Sequence, residues 1–514
     1  MGNLLGAPVT DKETHTGETS STESSPSLKW GMSSMQGWRV HMEDAHIAEG
    51  NLYAQLLLPS NNTTTNTTNN NQKIDLPGHA LFAVFDGHGG TFSAEYSGRN
   101  FLRILSKQPP FIEYAQCYTT ADLQKRLKLL EQALQQAFVE TDYEIALAIR
   151  GQFHPQANQQ YHHHHHHHHH HNTPKTATTS KDDSEDDTMT MRDAATRAAA
   201  DHVNALDDDG DSGTTACVVL VTPDSFVCAN AGDSRAIYSR SHNNNNKNNN
   251  KNTTDGGGRS AVALSYDHKP DDEPEERRIR AAGGYVAGGR VEGDLAVSRG
   301  LGDFRFKNMH TVLNNTQLFP NNDTNITTTT TDNMDKDDND NDAAMTNDND
   351  DNANTTNYAL LPPGDQKVSP IPDIIVQARN NQLDEYIIVA CDGIWDVLKN
   401  QECVQHVHRM IQEGEQNMGL ICEELLDTCL DLGSKDNMTA IVVQLPGLQL
   451  RPGDGVMGRR RKRQPANADN DDESQREEDK VEDGDNKEQD GFSSEEEEGE
   501  DSGKTADMEQ SSAS

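Results

Sequence analysis

Hydrophobic residues in this chain fall into short dense runs separated by long polar tracts. Leu81-Phe82-Ala83-Val84-Phe85 has no polar break, and Glu385-Tyr386-Ile387-Ile388-Val389-Ala390 is nearly as apolar. Runs of this length without alternation predict strands buried on both faces. Thr215 to Val221, a turn at Thr222-Pro223-Asp224 and Ser225 to Ala231 predict a hairpin, with a third strand at Ala236–Tyr238. Thr439 to Leu445 predicts a last strand. From Asp122 to Arg150 the period changes: Leu123, Leu127, Leu130, Leu134 and Phe138 recur at three- and four-residue steps, as one buried helical face requires. Further helices are expected at Thr91–Leu105, Asn400–Gln412, Met418–Leu432 and Pro274–Ala282, the last opened by Pro and closed by Gly283-Gly284.

The polar tracts set the domain plan. Residues 1–22 read as a polar arm and 23–448 as one folded domain. Disordered low-complexity insertions are expected within it at about 59–74, 152–208, 241–258 and 314–357; the second holds ten consecutive histidines at 162–171. Residues 449–514 read as a disordered tail, basic at Arg459–Arg463 and acidic afterwards. Setting these tracts aside leaves roughly 300 residues, enough for one large core.

A formal net charge of −40 opposes nucleic-acid binding, since phosphate backbones are held mainly by Lys and Arg. It opposes anionic membrane surfaces too. Seven cysteines lack paired spacing, and no run resembles a signal peptide or a membrane span. The expectation is a reduced, soluble, monomeric protein of the cytoplasm, the nucleus or both, with the basic cluster at 459–463 as a nuclear-import element. Met1-Gly2-Asn3 opens like an N-myristoylation site, but Gly6 stands where Ser or Thr belongs, and one acyl chain anchors weakly. Stable membrane insertion is not expected.

Candidate chemistry lies at the strand ends. Asp86 and Asp392 each follow an apolar strand and precede glycine, and Asp436 immediately precedes a strand. If these strands are neighbours, three carboxylates converge at one sheet end, with Glu43 and Asp44 as candidates to join them. Such a cluster cannot stay ionised alone, because like charges and desolvation raise each pKa. Divalent cations resolve the conflict, and all-oxygen ligands favour Mg²⁺ or Mn²⁺ over zinc.

In this setting the chain resembles the metal-dependent protein phosphatases of type 2C. The resemblance runs through Ser34-Met35-Gln36-Gly37-Trp38-Arg39, Met42-Glu43-Asp44-Ala45-His46, Phe85 to Gly90, Ser212-Gly213-Thr214-Thr215-Ala216 and Ala231 to Ala236. It continues through Asp267-His268-Lys269-Pro270, Leu295 to Asp303, Ala390 to Asp396 and Asp436-Asn437-Met438-Thr439, in family order over roughly 28–445. It implies an α+β fold, a four-layer α-β-β-α sandwich of two antiparallel sheets flanked by helices. It also implies a serine/threonine phosphatase with two Mg²⁺ or Mn²⁺ ions and activated water as nucleophile, acting on phosphoproteins and restraining kinase or stress signalling. Asp86 would bridge the two ions with help from the Gly87 carbonyl. Asp392 and Asp436 would complete one ion, with Glu43 and Asp44 on the other side. Arg39 would grip the phosphate and His88 would act as general acid. A catalytically inactive scaffold of the same fold is the alternative.

Some positions depart from the pattern. Gly210 stands where many members have an aspartate serving a third metal, which puts that site in doubt; Asp294 and Gly300 replace the usual Asn and Ala. Cys403 to Arg409 has the Cys-x₅-Arg spacing of a cysteine phosphatase. It sits in a helical pattern without the glycines of a phosphate loop, so Cys403 and Val407 are expected as two buried residues of one helical face.

Overall fold

The computed structural model describes residues 4–21, 26–56, 72–149, 211–242, 258–307 and 361–463. The histidine tract, the Asn-rich tracts, the acidic tail, the acylation site and Gly210 lie outside them.

Eleven of the strands make two antiparallel sheets. In chain order they are β1 (Leu4–Glu18), β2 (Lys29–Arg39), β3 (Ala45–Glu49), β4 (Ala80–Phe85), β5 (Ala216–Val221) and β6 (Ser225–Ala231). There follow β7 (Arg235–Ser241), β8 (Arg259–Ala263), β9 (Asp373–Ala378), β10 (Asp384–Ala390) and β11 (Met438–Gln444). One sheet has the order β1-β2-β11-β10-β7-β8 and the other β9-β6-β5-β4-β3. The helices are α1 (Phe92–Ser106), α2 (Pro109–Cys117), α3 (Leu123–Ile149), α4 (Glu273–Ala281), α5 (Asp392–Trp395), α6 (Asn400–Gln412), α7 (Met418–Asp431) and α8 (Gly455–Arg463).

The unbroken apolar runs follow from burial on both faces. Phe82 and Val84 of β4 meet Ile387 and Val389 of β10 between the sheets. Their neighbours Leu81, Ala83 and Phe85 face α1 and α3 through Phe101, Leu134 and Phe138. On the other side, Tyr386, Ile388 and Ala390 pack against α6 and α7 through Cys403, Val407, Cys422 and Leu425. The result is four layers, α-β-β-α, as the fold class requires. Cys403 and Val407 share the buried face of α6.

The structure differs from the sequence expectations in four places. The arm expected at 1–22 is largely strand β1, paired antiparallel with β2 from Leu4↔Arg39 to Glu18↔Lys29. Its side chains are polar because it is an edge strand held by its backbone, the Thr14–Ser33 hydroxyl contact and the Lys12–Asp427 ion pair. The insertion expected at about 59–74 ends earlier, since Gln72–Leu76 pairs with Leu52–Leu56. The tail expected from 449 starts later: Val456 is buried in the core beside α6 and α7, and Glu415 accepts its backbone N–H at 3.0 Å. Leu123, expected on the buried face of α3, is 41% exposed because burial begins with the second turn.

Helix α7 lies unusually close to β2. A Cβ on Gly31 would sit 2.0 Å from the Gly419 nitrogen and 2.3 Å from the Met418 carbonyl carbon. Backbone meets backbone there, so no side chain can yield. Gly31→Ala should lower stability by about 1–3 kcal/mol in a urea titration; unchanged stability would contradict this packing.

Candidate metal centre

The acids expected at the strand ends come together at one end of the two sheets. β4 ends at Phe85 and delivers Asp86, whose backbone is fixed by Thr215, as its carbonyl accepts the Thr215 N–H at 2.9 Å. β10 ends at Ala390, and Asp392 opens α5. Asp436 precedes β11. Two groups of ligand atoms lie within 4.8 Å of one another: Asp44, Asp86 and Cys391, and Asp86, Asp233 and Asp392. Asp86 belongs to both.

Burial, followed by the charges of Asp392, Asp44, Asp233 and Asp436, pushes the Asp86 carboxyl well above its usual range. Burial and then Asp233 and Asp436 do the same to Asp392. Burial raises Asp44 to about 6, against the hydrogen bond from the Thr439 hydroxyl at 2.7 Å. The second Asp44 oxygen, Oδ1, is buried without a hydrogen-bond partner. A crowd of carboxylates with an orphaned oxygen fits hard divalent cations. The Cys391 thiol departs from an all-oxygen set, but burial and then Asp44 and Asp86 push it well above its usual range, which keeps it protonated.

The other predicted residues surround this cluster in different ways. The Arg39 guanidinium bonds the Asp436 carboxylate, so Asp436 has a cation partner already and stands outside both three-residue groups. Burial opposes the charge on Arg39, yet Asp436, Asp392 and Asp86 raise its pKa overall. Glu43 also stands outside both groups; its side chain accepts the Gly90 N–H at 2.9 Å. A Cβ on Gly87 would lie 2.2 Å from the Glu43 carbonyl oxygen, so glycine is needed where the chain leaves Asp86.

His88 Nε2 lies 2.7 Å from Asp303, which is 2% exposed. Burial opposes protonation of His88, but Asp303, with Asp233 and Glu43, raises the pKa overall. Asp303 adopts the left-handed conformation with φ 55, uncommon for a side chain with a Cβ though tolerated by Asp. Its N–H bonds the Ser212 carbonyl at 3.1 Å, and a Cβ on Gly213 would meet its carboxylate at 2.3 Å.

Asp233 and Asp303 were missed as functional acids by the sequence reading. Asp233 had a usable signal: Ala231-Gly232-Asp233 repeats the acid-after-buried-strand setting of Asp86. It is 4% exposed and paired with Lys269 at 2.5 Å. Asp303 closes the Leu295–Asp303 motif, but nothing in the sequence shows that the tertiary fold sets it against His88.

Residues 28–161 and 146–438 match the family described as protein phosphatase 2C. The chain belongs to the protein phosphatase 2C family. Protein phosphatase 2C homolog 2 of Saccharomyces cerevisiae is 29% identical over 464 residues, 89% of this chain and 64% of that protein. The Schizosaccharomyces pombe protein of the same name is 29% identical over 455 residues, 86% of this chain and 78% of its own. The crystal structure of serine-threonine phosphatase 2C from Toxoplasma gondii aligns with 84% of this chain and 99% of its own, at 18% identity and a TM-score of 0.46. Among the described residues, no helix is long and apolar enough to cross a membrane.

Carboxyls with raised folded pKa stabilise the fold below their unfolded value and lose that contribution as pH rises through the folded one. For Asp44 the loss runs from 3.8 to about 6. Cation binding needs the ionised forms, so the thermal shift on adding Mn²⁺ should grow from pH 5 to pH 7.5. The stabilisation behind the shift should reach about 2.7 kcal/mol with cation a hundredfold above its Kd. Asp86→Asn should remove most of it; an unchanged shift in that variant would show that Asp86 holds no ion.

Proposed function

We propose that this protein is a Mg²⁺- or Mn²⁺-dependent phosphatase of phosphoserine and phosphothreonine in proteins. The observation that carries the proposal is the Asp86 carboxylate, shared by two potential ligand groups and followed two residues later by a histidine held by a buried acid. Asp86, Asp44, Asp392 and Asp233 would hold the cations, with Asp436 joining once Arg39 leaves it. When bound, such ions neutralise phosphate charge and can lower the pKa of water from about 15.7 towards 7.

The chain's own residues do the rest. Arg39 exchanges Asp436 for the substrate, its planar fork of donors gripping two phosphoryl oxygens. Water attacks phosphorus, the bond to the serine or threonine oxygen breaks, and that oxygen must take a proton as it leaves. His88 donates it: Asp303 engages Nε2 and favours the charged ring, which leaves Nδ1 to give up the proton. The products are inorganic phosphate and the free hydroxyl.

General acids contribute about 10²–10⁴ in rate. His88→Ala should therefore lower kcat on a phosphothreonine peptide by about that factor, and less on p-nitrophenyl phosphate, whose leaving group needs no proton. Asp86→Asn and EDTA should each abolish turnover. Full activity in EDTA, or equal losses on both substrates for His88→Ala, would refute these assignments.

A further inference from the structure

A cavity of about 380 Å³ opens where α4 ends, walled by Ala282, Arg305, Phe306, Lys307, Gln366 and Lys367. Three of these residues are cations, and among the described residues no carboxylate lines it. That composition stands out in a chain of net charge −40. Each cation is ion-paired: the buried Lys307 ammonium with Asp142 at 2.7 Å, Lys367 with Glu292 at 2.6 Å, and Arg305 with Asp294, which leaves Arg305 and Lys367 as the partly exposed cations.

Gln366 supplies an independent observation. It is 3% exposed, and neither its side-chain nitrogen nor its oxygen has a hydrogen-bond partner. Buried amides are normally satisfied, and an exception calls for a ligand or another specific cause. The cavity also has a defined relation to the candidate centre. Arg305 follows Asp303, the partner of His88, by two residues, and its guanidinium reaches toward Asp211 at 4.0 Å, beside the Ser212-Gly213 segment that holds Asp303.

We infer that this cavity is a subsite for an acidic side chain of the phosphoprotein substrate, a carboxylate or a second phosphate, a few residues from the phosphate being removed. The inference rests on the phosphatase reading above. Arg305 and Lys367, the two partly exposed cations, exclude an ammonium group and attract an anion. The Gln366 amide adds a neutral donor for that anion, and its oxygen can accept an N–H from the same peptide, which a free inorganic anion could not provide. Phe306 and Leu361 give the aliphatic stem of the acidic residue an apolar wall.

The test is a set of phosphothreonine peptides, alanine-flanked, with glutamate or phosphoserine placed at each neighbouring position in turn. The wild type, assayed with Mn²⁺, should favour an acidic residue at one or two positions by about tenfold in kcat/KM, mainly through KM. A larger gain from phosphoserine than from glutamate assigns the subsite to a phosphate, the reverse to a carboxylate. In Gln366→Leu and Lys367→Met the ratio of acidic to alanine peptide should fall towards one, whereas mere loss of packing would slow both peptides alike and keep the ratio. Hydrolysis of p-nitrophenyl phosphate without acid preference at any position would overturn the subsite and leave the phosphatase reading standing. A preference that persists unchanged in both variants would overturn it too. Failure to hydrolyse any of these substrates would overturn both.

Discussion

Mutual repulsion among buried carboxylates is the constraint on which the functional end of this molecule depends. Asp44, Asp86, Asp233 and Asp392 are drawn together by strands whose apolar cores leave them no alternative position. Burial is the largest cause that raises the Asp44, Asp86 and Asp392 carboxyls; Asp392, Asp44 and Asp233 add their charges at Asp86, and Asp233 and Asp44 add theirs at Asp392. Lys269 and Arg39 offset part of this charge at the margins, through Asp233 and Asp436. Among the described residues no cation forms an ion pair with Asp86 at the centre, which Arg39 reaches only through its charge. A fold that holds acids in this way has ligand groups that could take up divalent cations, and binding them would relieve the repulsion.

The surrounding backbone is built to hold that geometry at close range. A Cβ on Gly393, next to Asp392, would lie 2.0 Å from the Asn437 carbonyl oxygen, so the two segments that carry Asp392 and Asp436 are in backbone contact. Asn437 ties in a third segment, accepting the Glu43 N–H at 2.9 Å and donating to the Gln36 and His41 carbonyls. The segment that carries Glu43 and Asp44 is thus tied to the segment that carries Asp436 by one buried amide. The same economy places His88: Asp303 is forced into a left-handed conformation between Ser212 and Gly213, and its carboxylate sets the ring.

Much of this was legible in the sequence, and for stateable reasons. Strands buried on both faces betray themselves as unbroken apolar runs, so β4, β10 and the β5–β6 hairpin could be read directly, as could α6, whose bounds match the expectation. Asp86, Asp392 and Asp436 were visible because acids beside such strands are unusual. Strand β1 was not legible, since an exposed edge strand has no apolar pattern to show. α2 was missed because its nine residues, opened by Pro109-Pro110, are too few to establish a period. Asp303, 215 residues from His88 in sequence, is brought to it only by tertiary structure.

The central claim is that Asp86 is shared by two cations. Anomalous diffraction from crystals soaked in Mn²⁺ tests it most directly. The account predicts two peaks, one on the Asp44 side and one on the Asp233–Asp392 side, each about 2.1 Å from an oxygen of the Asp86 carboxylate. Peaks that leave Asp86 uncoordinated, or a single ion held by Asp436 and Glu43 away from it, would contradict the account.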